Sequence, residues 1–292
     1  MGLILNNENL TLHLDLPEEN YQSTRFDWTG KIVQLIFKGK TLAGKEKEIG
    51  ERASDGLGFY NEFGFDQPIG YEDTSTGEWF HKIGLGMLKK EQAVYHFSQS
   101  FELMPAKIEV TSTDTEVMFT CIGENHNGYG YRLVKKVALH EDGFSIHYQL
   151  YNTGDRQLRT NEYVHNFIAL NETAINQNYE LDFPFIIRPD QFIETINPED
   201  AVRISNRGIR FHHGPTRAFY FSNLTGYEQK KASWRILHTS EKLSFSEQTD
   251  FKTDCVNLWG TGYVICPELF KQIDLPAGAS DQWMRRYKVE EI

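Results

Sequence analysis

Residues 131–150 read Tyr131-Arg-Leu-Val-Lys-Lys-Val-Ala-Leu-His140-Glu-Asp-Gly-Phe-Ser-Ile-His-Tyr-Gln-Leu150. In the first half, Tyr131, Leu133, Val137 and Leu139 share one face with Lys135. In the second half, Phe144, Ile146, Tyr148 and Leu150 alternate with Ser145, His147 and Gln149. A period of two marks strands with one face buried. Asp142-Gly143 lies between the halves and is a strong hairpin turn signal. The stretch is therefore read as an antiparallel hairpin.

The same period runs outward. Val117, Phe119 and Cys121 alternate with Met118 and Thr120, and Tyr151-Asn-Thr-Gly154 closes the strand after the hairpin. Further strands are expected at 31–38, 107–112, 161–170, 217–222, 234–238, 243–247, 262–266 and 284–289. Helical periodicity is weak, with at most a turn or two over 45–53. Residues 55–86, rich in glycine and aromatics, read as long loops. Many short strands with turn punctuation predict an all-β protein, a large antiparallel sandwich with little helix. No repeat, linker or low-complexity tract divides the chain, so a single domain over 1–292 is expected. Its 292 residues suffice to bury a core without disulfides or metals.

The charge excludes some functions. Lys plus Arg number 30 and Asp plus Glu 41, for a net charge of −11. That is not the footprint of a nucleic-acid binder, nor of a protein that docks on anionic membranes. The odd set Cys121, Cys255 and Cys266, without a CxxC, argues for a reducing compartment. The N-terminus lacks the basic and apolar segments of a signal peptide, and no stretch reaches the roughly 18 apolar residues of a membrane span. A cytoplasmic location is the expectation.

Several motifs fall away on inspection. Gly84-Leu-Gly86 lacks the rest of a dinucleotide loop. His212 and His213 are neighbours in an expected strand, which would turn them to opposite faces, so they are not read as sharing a metal. Two places remain. In Thr160-Asn-Glu-Tyr-Val-His165-Asn-Phe-Ile-Ala-Leu170, residues Asn161, Tyr163, His165 and Phe167 share one accessible face. The other face packs on the core. Taken alone, His165 reads most simply as a strand histidine with satisfied nitrogens. In Gly262-Tyr-Val-Ile-Cys-Pro-Glu268-Leu-Phe-Lys271, a carboxylate follows a proline at the end of an apolar strand. Alone it reads as a surface group; against apolar walls its basicity would rise.

Together these places resemble the galactose mutarotase-like superfamily, which includes the aldose 1-epimerases. Val164-His165-Asn-Phe-Ile-Ala-Leu170 resembles the family's Asn-His-x-x-Phe-x-Leu strand. Cys266-Pro-Glu268-Leu-Phe, then Leu275-Pro-Ala-Gly278, then Trp283-Met-Arg-Arg-Tyr287-Lys-Val289 resemble its glutamate strand, turn and last strand. Family members also carry an Asn-Arg element and a His-Gly-Gly stretch. Here Tyr60-Asn-Glu62-Phe-Gly64 stands at about the first place. No His-Gly-Gly occurs, and His81 and His96 are the stand-ins on offer.

The resemblance implies a galactose mutarotase-like supersandwich, acting as monomer or homodimer on a small-molecule sugar. It implies anomer interconversion with Glu268 as base and protonated His165 as acid, and no metal or organic cofactor. A neighbouring carboxylate would keep the imidazolium charged. Glu62, Lys82, Lys89, Asn161, Tyr163 and Trp259 are the expected substrate-binding residues, with Phe270 another stacking ring. The lysines would suit an anionic sugar. Two other readings stand beside this one. The first is a non-catalytic carbohydrate binder on the same fold. The second is a hydrolase pairing Glu268 with Glu62 or Asp66.

Overall fold

The computed structural model describes residues 2–47 and 55–292. About 52% of the chain is strand and, among the described residues, no helix reaches seven residues, as the alternation predicts. The expected helical turn over 45–53 lies mostly outside the described residues. In its described part, Lys45 makes an isolated bridge to Leu57. Among the described residues no helix is long and apolar enough to cross a membrane.

Among the described residues, two ten-stranded sheets and one three-stranded sheet make up the fold. The centre of the first large sheet runs Lys31–Phe37, Phe59–Phe63, Leu158–Asn166, Ile265–Leu275, Cys255–Gly260. The second is built around Leu243–Thr249, Ser280–Glu291, Gly143–Asn152, Tyr129–His140 and Glu116–His126. Neighbouring strands run antiparallel.

The hairpin forms as expected, with one adjustment. His140 pairs with Gly143, so Glu141 and Asp142 make the turn and Gly143 opens the second strand. Glycine is required there because a Cβ would lie 2.0 Å from the Tyr287 carbonyl oxygen.

The two large sheets pack face to face through one apolar core. Phe59 of the first sheet meets Phe144 and Tyr287 of the second at ring separations of 5.3 and 5.4 Å. Within this core lies a charged knot. Arg285 donates to Glu162 at 2.7 Å, to Glu247 at 2.6 Å and to the Leu269 carbonyl at 2.8 Å. All three ionic side chains are fully buried. Such a knot is tolerated because its lone pairs and N–H groups are matched.

Two expectations are corrected. The 55–86 region is not all loop: Phe59–Phe63 is a wholly buried central strand, and Trp79–Lys82 opens the small sheet. A strand covered on both faces loses the polar alternation that would announce it. The strand expected at 262–266 instead runs Ile265–Leu275, continuing through Pro267.

Candidate active site

The outer face of the first sheet carries a cleft of about 450 Å³. Along Leu158–Asn166, Val164 points into the core while Tyr163 and His165 line the cleft. Along Ile265–Leu275, Leu269 joins the core and Glu268 lines the cleft. Period two sorts Leu158–Asn166 as read and sorts Ile265–Leu275 in the same way, placing one titratable group of each on the same outer face.

Register brings the two together. The strands pair at Glu162↔Lys271 and again at Ile168↔Ile265. Continuing that register sets His165 opposite Glu268. Between the two pairings lies Pro267, which has no N–H for the ladder. The Asn166 side-chain amide takes up the Pro267 carbonyl instead, at 2.7 Å. His165 Nε2 lies 3.2 Å from Glu268 Oε1.

Rings hold the imidazole. It stacks on Phe167 at 4.1 Å and 13°, and meets Trp259 edge-on at 5.4 Å. Its Nδ1 has no hydrogen-bond partner among the described residues. Tyr163 stacks on Phe270 at 4.5 Å.

Electrostatics set the protonation of the pair. His165 is 4% and Glu268 5% exposed, so the charged form of each is poorly solvated. Burial is the largest influence on Glu268 and pushes its carboxyl up to about 8; Arg25 opposes this and Glu62 adds to it. Burial, then repulsion from Arg25, holds His165 well below the ordinary imidazole value. The expectation that a carboxylate keeps His165 charged is therefore corrected, because desolvation outweighs the partner. Burial thus disfavours charge on both members, and the form it favours is a carboxylic acid beside a neutral imidazole.

A second tier stands behind the pair. Arg25 Nε donates to Glu62 at 3.1 Å and its terminal nitrogen to the Tyr163 hydroxyl at 3.1 Å. That hydroxyl donates to Glu62 at 2.7 Å. The guanidinium lies 4.6 Å from the ring centres of both Phe26 and Phe97. Lys82 Nζ reaches Glu62 at 3.2 Å, the Gly64 carbonyl at 3.0 Å and the Tyr95 hydroxyl at 2.9 Å.

Of the expected site residues, His165, Glu268, Tyr163 and Trp259 line the cleft. Glu62, Lys82, Lys89 and Asn161 are not among its lining residues. Glu62 and Lys82 are buried braces. Lys89 pairs with Glu102 at 2.9 Å in the small sheet. Asn161 accepts from the Phe65 N–H at 2.9 Å and donates to Asp66. Neither stand-in histidine lines the cleft. His81 is buried beside Tyr131 and bonds the Tyr129 carbonyl, while His96 is exposed and stacks on Phe97.

The sequence reading missed Arg25, Glu46, Phe65, Phe97, Glu194 and Tyr220, all of which line the cleft. Arg25 stands in Ser23-Thr-Arg-Phe-Asp-Trp28. A lone cation among aromatics was the signal available there.

No family model matches the chain, and no curated protein matches it in sequence. Solved structures do match. A galactose mutarotase-like protein from Lactobacillus casei ATCC 334 superposes with a TM-score of 0.62 at 12% identity, over 99% of this chain and 100% of that one. A galactose mutarotase related enzyme from Lactobacillus acidophilus gives 0.59 at 11%, over 100% and 98%. An aldose epimerase homologue from C. elegans gives 0.55 at 11%, over 100% and 99%. At this identity the likeness shows the fold: the chain has the galactose mutarotase-like sandwich.

Proposed function

We propose that the protein is a mutarotase of the aldose 1-epimerase kind, interconverting the anomers of a sugar by acid/base ring opening. The observation that carries this reading is His165 Nε2 set 3.2 Å from Glu268 Oε1 on the floor of an aromatic-walled cleft.

Ring opening removes the proton of the C1 hydroxyl, breaks the C1–O5 bond, forms the C1 carbonyl and delivers a proton to O5. One group must accept while the other donates. A pair that shares one exchangeable proton meets this requirement and ends the step still holding one. After rotation about C1–C2, the reverse transfers close the ring with O1 on the other face. In the roles implied by the resemblance, Glu268 accepts from O1 and protonated His165 donates to O5, so the ion-paired tautomer reacts. The resting neutral tautomer reaches it by passing the proton across the 3.2 Å contact. Each properly placed acid or base is worth ~10²–10⁴-fold in rate. Trp259, half-buried at the cleft, offers its ring to the apolar side of the sugar. Proton transfer of this kind needs no metal or organic cofactor.

We further read the protein as cytoplasmic. Its free thiols Cys121, Cys255 and Cys266 fit a reducing compartment.

The test is polarimetry or exchange NMR on the wild type over a panel of free aldoses. Faster equilibration of α and β anomers than in buffer is the expected result. Binding without acceleration would favour the carbohydrate-binder reading, which the aromatic lining also suits. The hydrolase pairing loses its partners, since Glu62 is engaged by Arg25, Tyr163 and Lys82 and Asp66 by Asn161.

A further inference from the structure

The charges of the cleft bear on which sugars it takes; this inference rests on the sugar reading above and narrows it. The lysines that the sequence offered for an anionic sugar are placed elsewhere. Lys82 is buried against Glu62, and Lys89 pairs with Glu102. Among the described residues, the lysines and arginines contribute only Arg25 to the cleft lining. Its charge is bound to Glu62 at 3.1 Å.

Two carboxylates besides Glu268 line the same cleft, Glu46 and Glu194. Glu194 is exposed and Glu46 half-buried. Glu46 accepts from the Gly56 N–H at 2.9 Å. Among the described residues neither carboxylate stands in an ion pair. The chain as a whole adds a field of the same sign, with its net charge of −11. His165 Nδ1 is buried, without a partner among the described residues, on a residue that lines this cleft.

We propose that the cleft takes sugars without an anionic substituent and favours a protonated amino sugar over its uncharged counterpart. Glu46 and Glu194 attract the ammonium group and repel phosphate and carboxylate. The whole-chain field acts in the same direction on the encounter.

The experiment compares the gluco and galacto series at a pH where the amine is protonated. Each series contains the aldose, the 2-amino sugar, its N-acetyl derivative, the 6-phosphate and the uronate. Catalysed anomer exchange is followed by NMR. The amino sugar should exceed the aldose in kcat/KM by about fivefold, the effect of one exposed charge contact. The N-acetyl derivative, larger but uncharged, should show no such gain. The 6-phosphate and uronate should fall below the aldose. Glu194→Gln and Glu46→Gln should each shrink the amino-to-neutral ratio, as should ~1 M salt, where the screening length is about 3 Å.

A 6-phosphate or uronate handled as well as the aldose overturns the inference and leaves the mutarotase reading standing. If no sugar is turned over, saturation-transfer NMR reads the same order from binding. The order amino, neutral, anionic then upholds the charge selection on a binder. Silence across the whole panel sinks both.

Discussion

The side-chain amide of Asn166 donates to the carbonyl oxygen of Pro267 at 2.7 Å, one residue along each strand from His165 and Glu268. The same amide reaches Glu247 at 3.1 Å, and its oxygen accepts from the Tyr287 hydroxyl at 3.0 Å. Asn166 is thereby fixed from inside the sandwich, and it fixes the strand at the point where proline removes a ladder bond. The pair on the outer face depends on that register, since a one-residue slip would turn Glu268 inward.

Glu268→Gln keeps the shape of the side chain and removes its proton chemistry. Anomer exchange should fall ~10²–10⁴-fold in kcat, with sugar affinity changed far less. Exchange NMR at saturating sugar, beside a binding titration, separates the two. Retained turnover in the variant would remove Glu268 from the proton-transfer pair.

The pH profile follows from the directions of the two shifts. The working pair holds one proton. As pH rises through about 8, Glu268 loses that proton while His165 is already neutral, so no acid remains and kcat/KM should fall. On the acid side the base is lost only when His165 also protonates, well below the ordinary imidazole range. Activity should therefore be flat through neutrality, with its alkaline limb near 8. An acid limb at the ordinary imidazole value would contradict the burial argument. Stability carries the same sign. Glu268 has a raised folded value, so its contribution is full below the ordinary carboxyl range and is lost as pH rises through about 8. The melting temperature of Glu268→Gln relative to wild type should climb across that window.

Arg285→Met tests the knot inside the sandwich. It leaves Glu162 and Glu247 facing each other without a cation and orphans the Leu269 carbonyl. Breaking a buried pair from one side costs about 3–5 kcal/mol, on the order of 5–10 °C in melting temperature for a chain of this size. Adding Glu162→Gln and Glu247→Gln should recover part of the loss. A variant that melts with the wild type would mean that the knot contributes no net stability.

How much was legible in the sequence depended on which surface each strand meets. The hairpin Tyr129–His140 and Gly143–Asn152 could be read because one face is apolar and the other mixed. The face of His165 could be read from the alternation of its own strand, whereas Glu268 was read only as a carboxylate at a strand end and in fact stands inside Ile265–Leu275. Phe59–Phe63 could not, because it is buried on both faces and its Asn61 and Glu62 look like loop residues. Lys82 was misread as a ligand-binding cation, since nothing local shows that its amine meets Glu62, Gly64 and Tyr95 inside the protein. Arg25 was passed over because the partners that give it a role, Glu62 and Tyr163, are 37 and 138 residues away.

Gly56 offers a way to disturb the imidazole without touching it. A Cβ at this position would lie 2.1 Å from Phe167 Cζ and 2.5 Å from Cε2. Phe167 is fully buried, with Phe26 against it at 6.1 Å and Trp259 at 6.3 Å, so the ring has little lateral room. One face of the ring carries His165 at 4.1 Å, so a shift of the ring is expected to move the imidazole. Gly56→Ala should cost about 1–3 kcal/mol as overpacking. It should also lower kcat more than it raises KM, because misplacement by ~1 Å of a group in the reaction costs about 10²-fold. Adding Phe167→Leu shortens the ring that is struck and should return both quantities part of the way. If Gly56→Ala lowers the melting temperature while kcat holds, the stack supports the fold but does not aim His165, and the contact with Glu268 must be maintained from the strand alone.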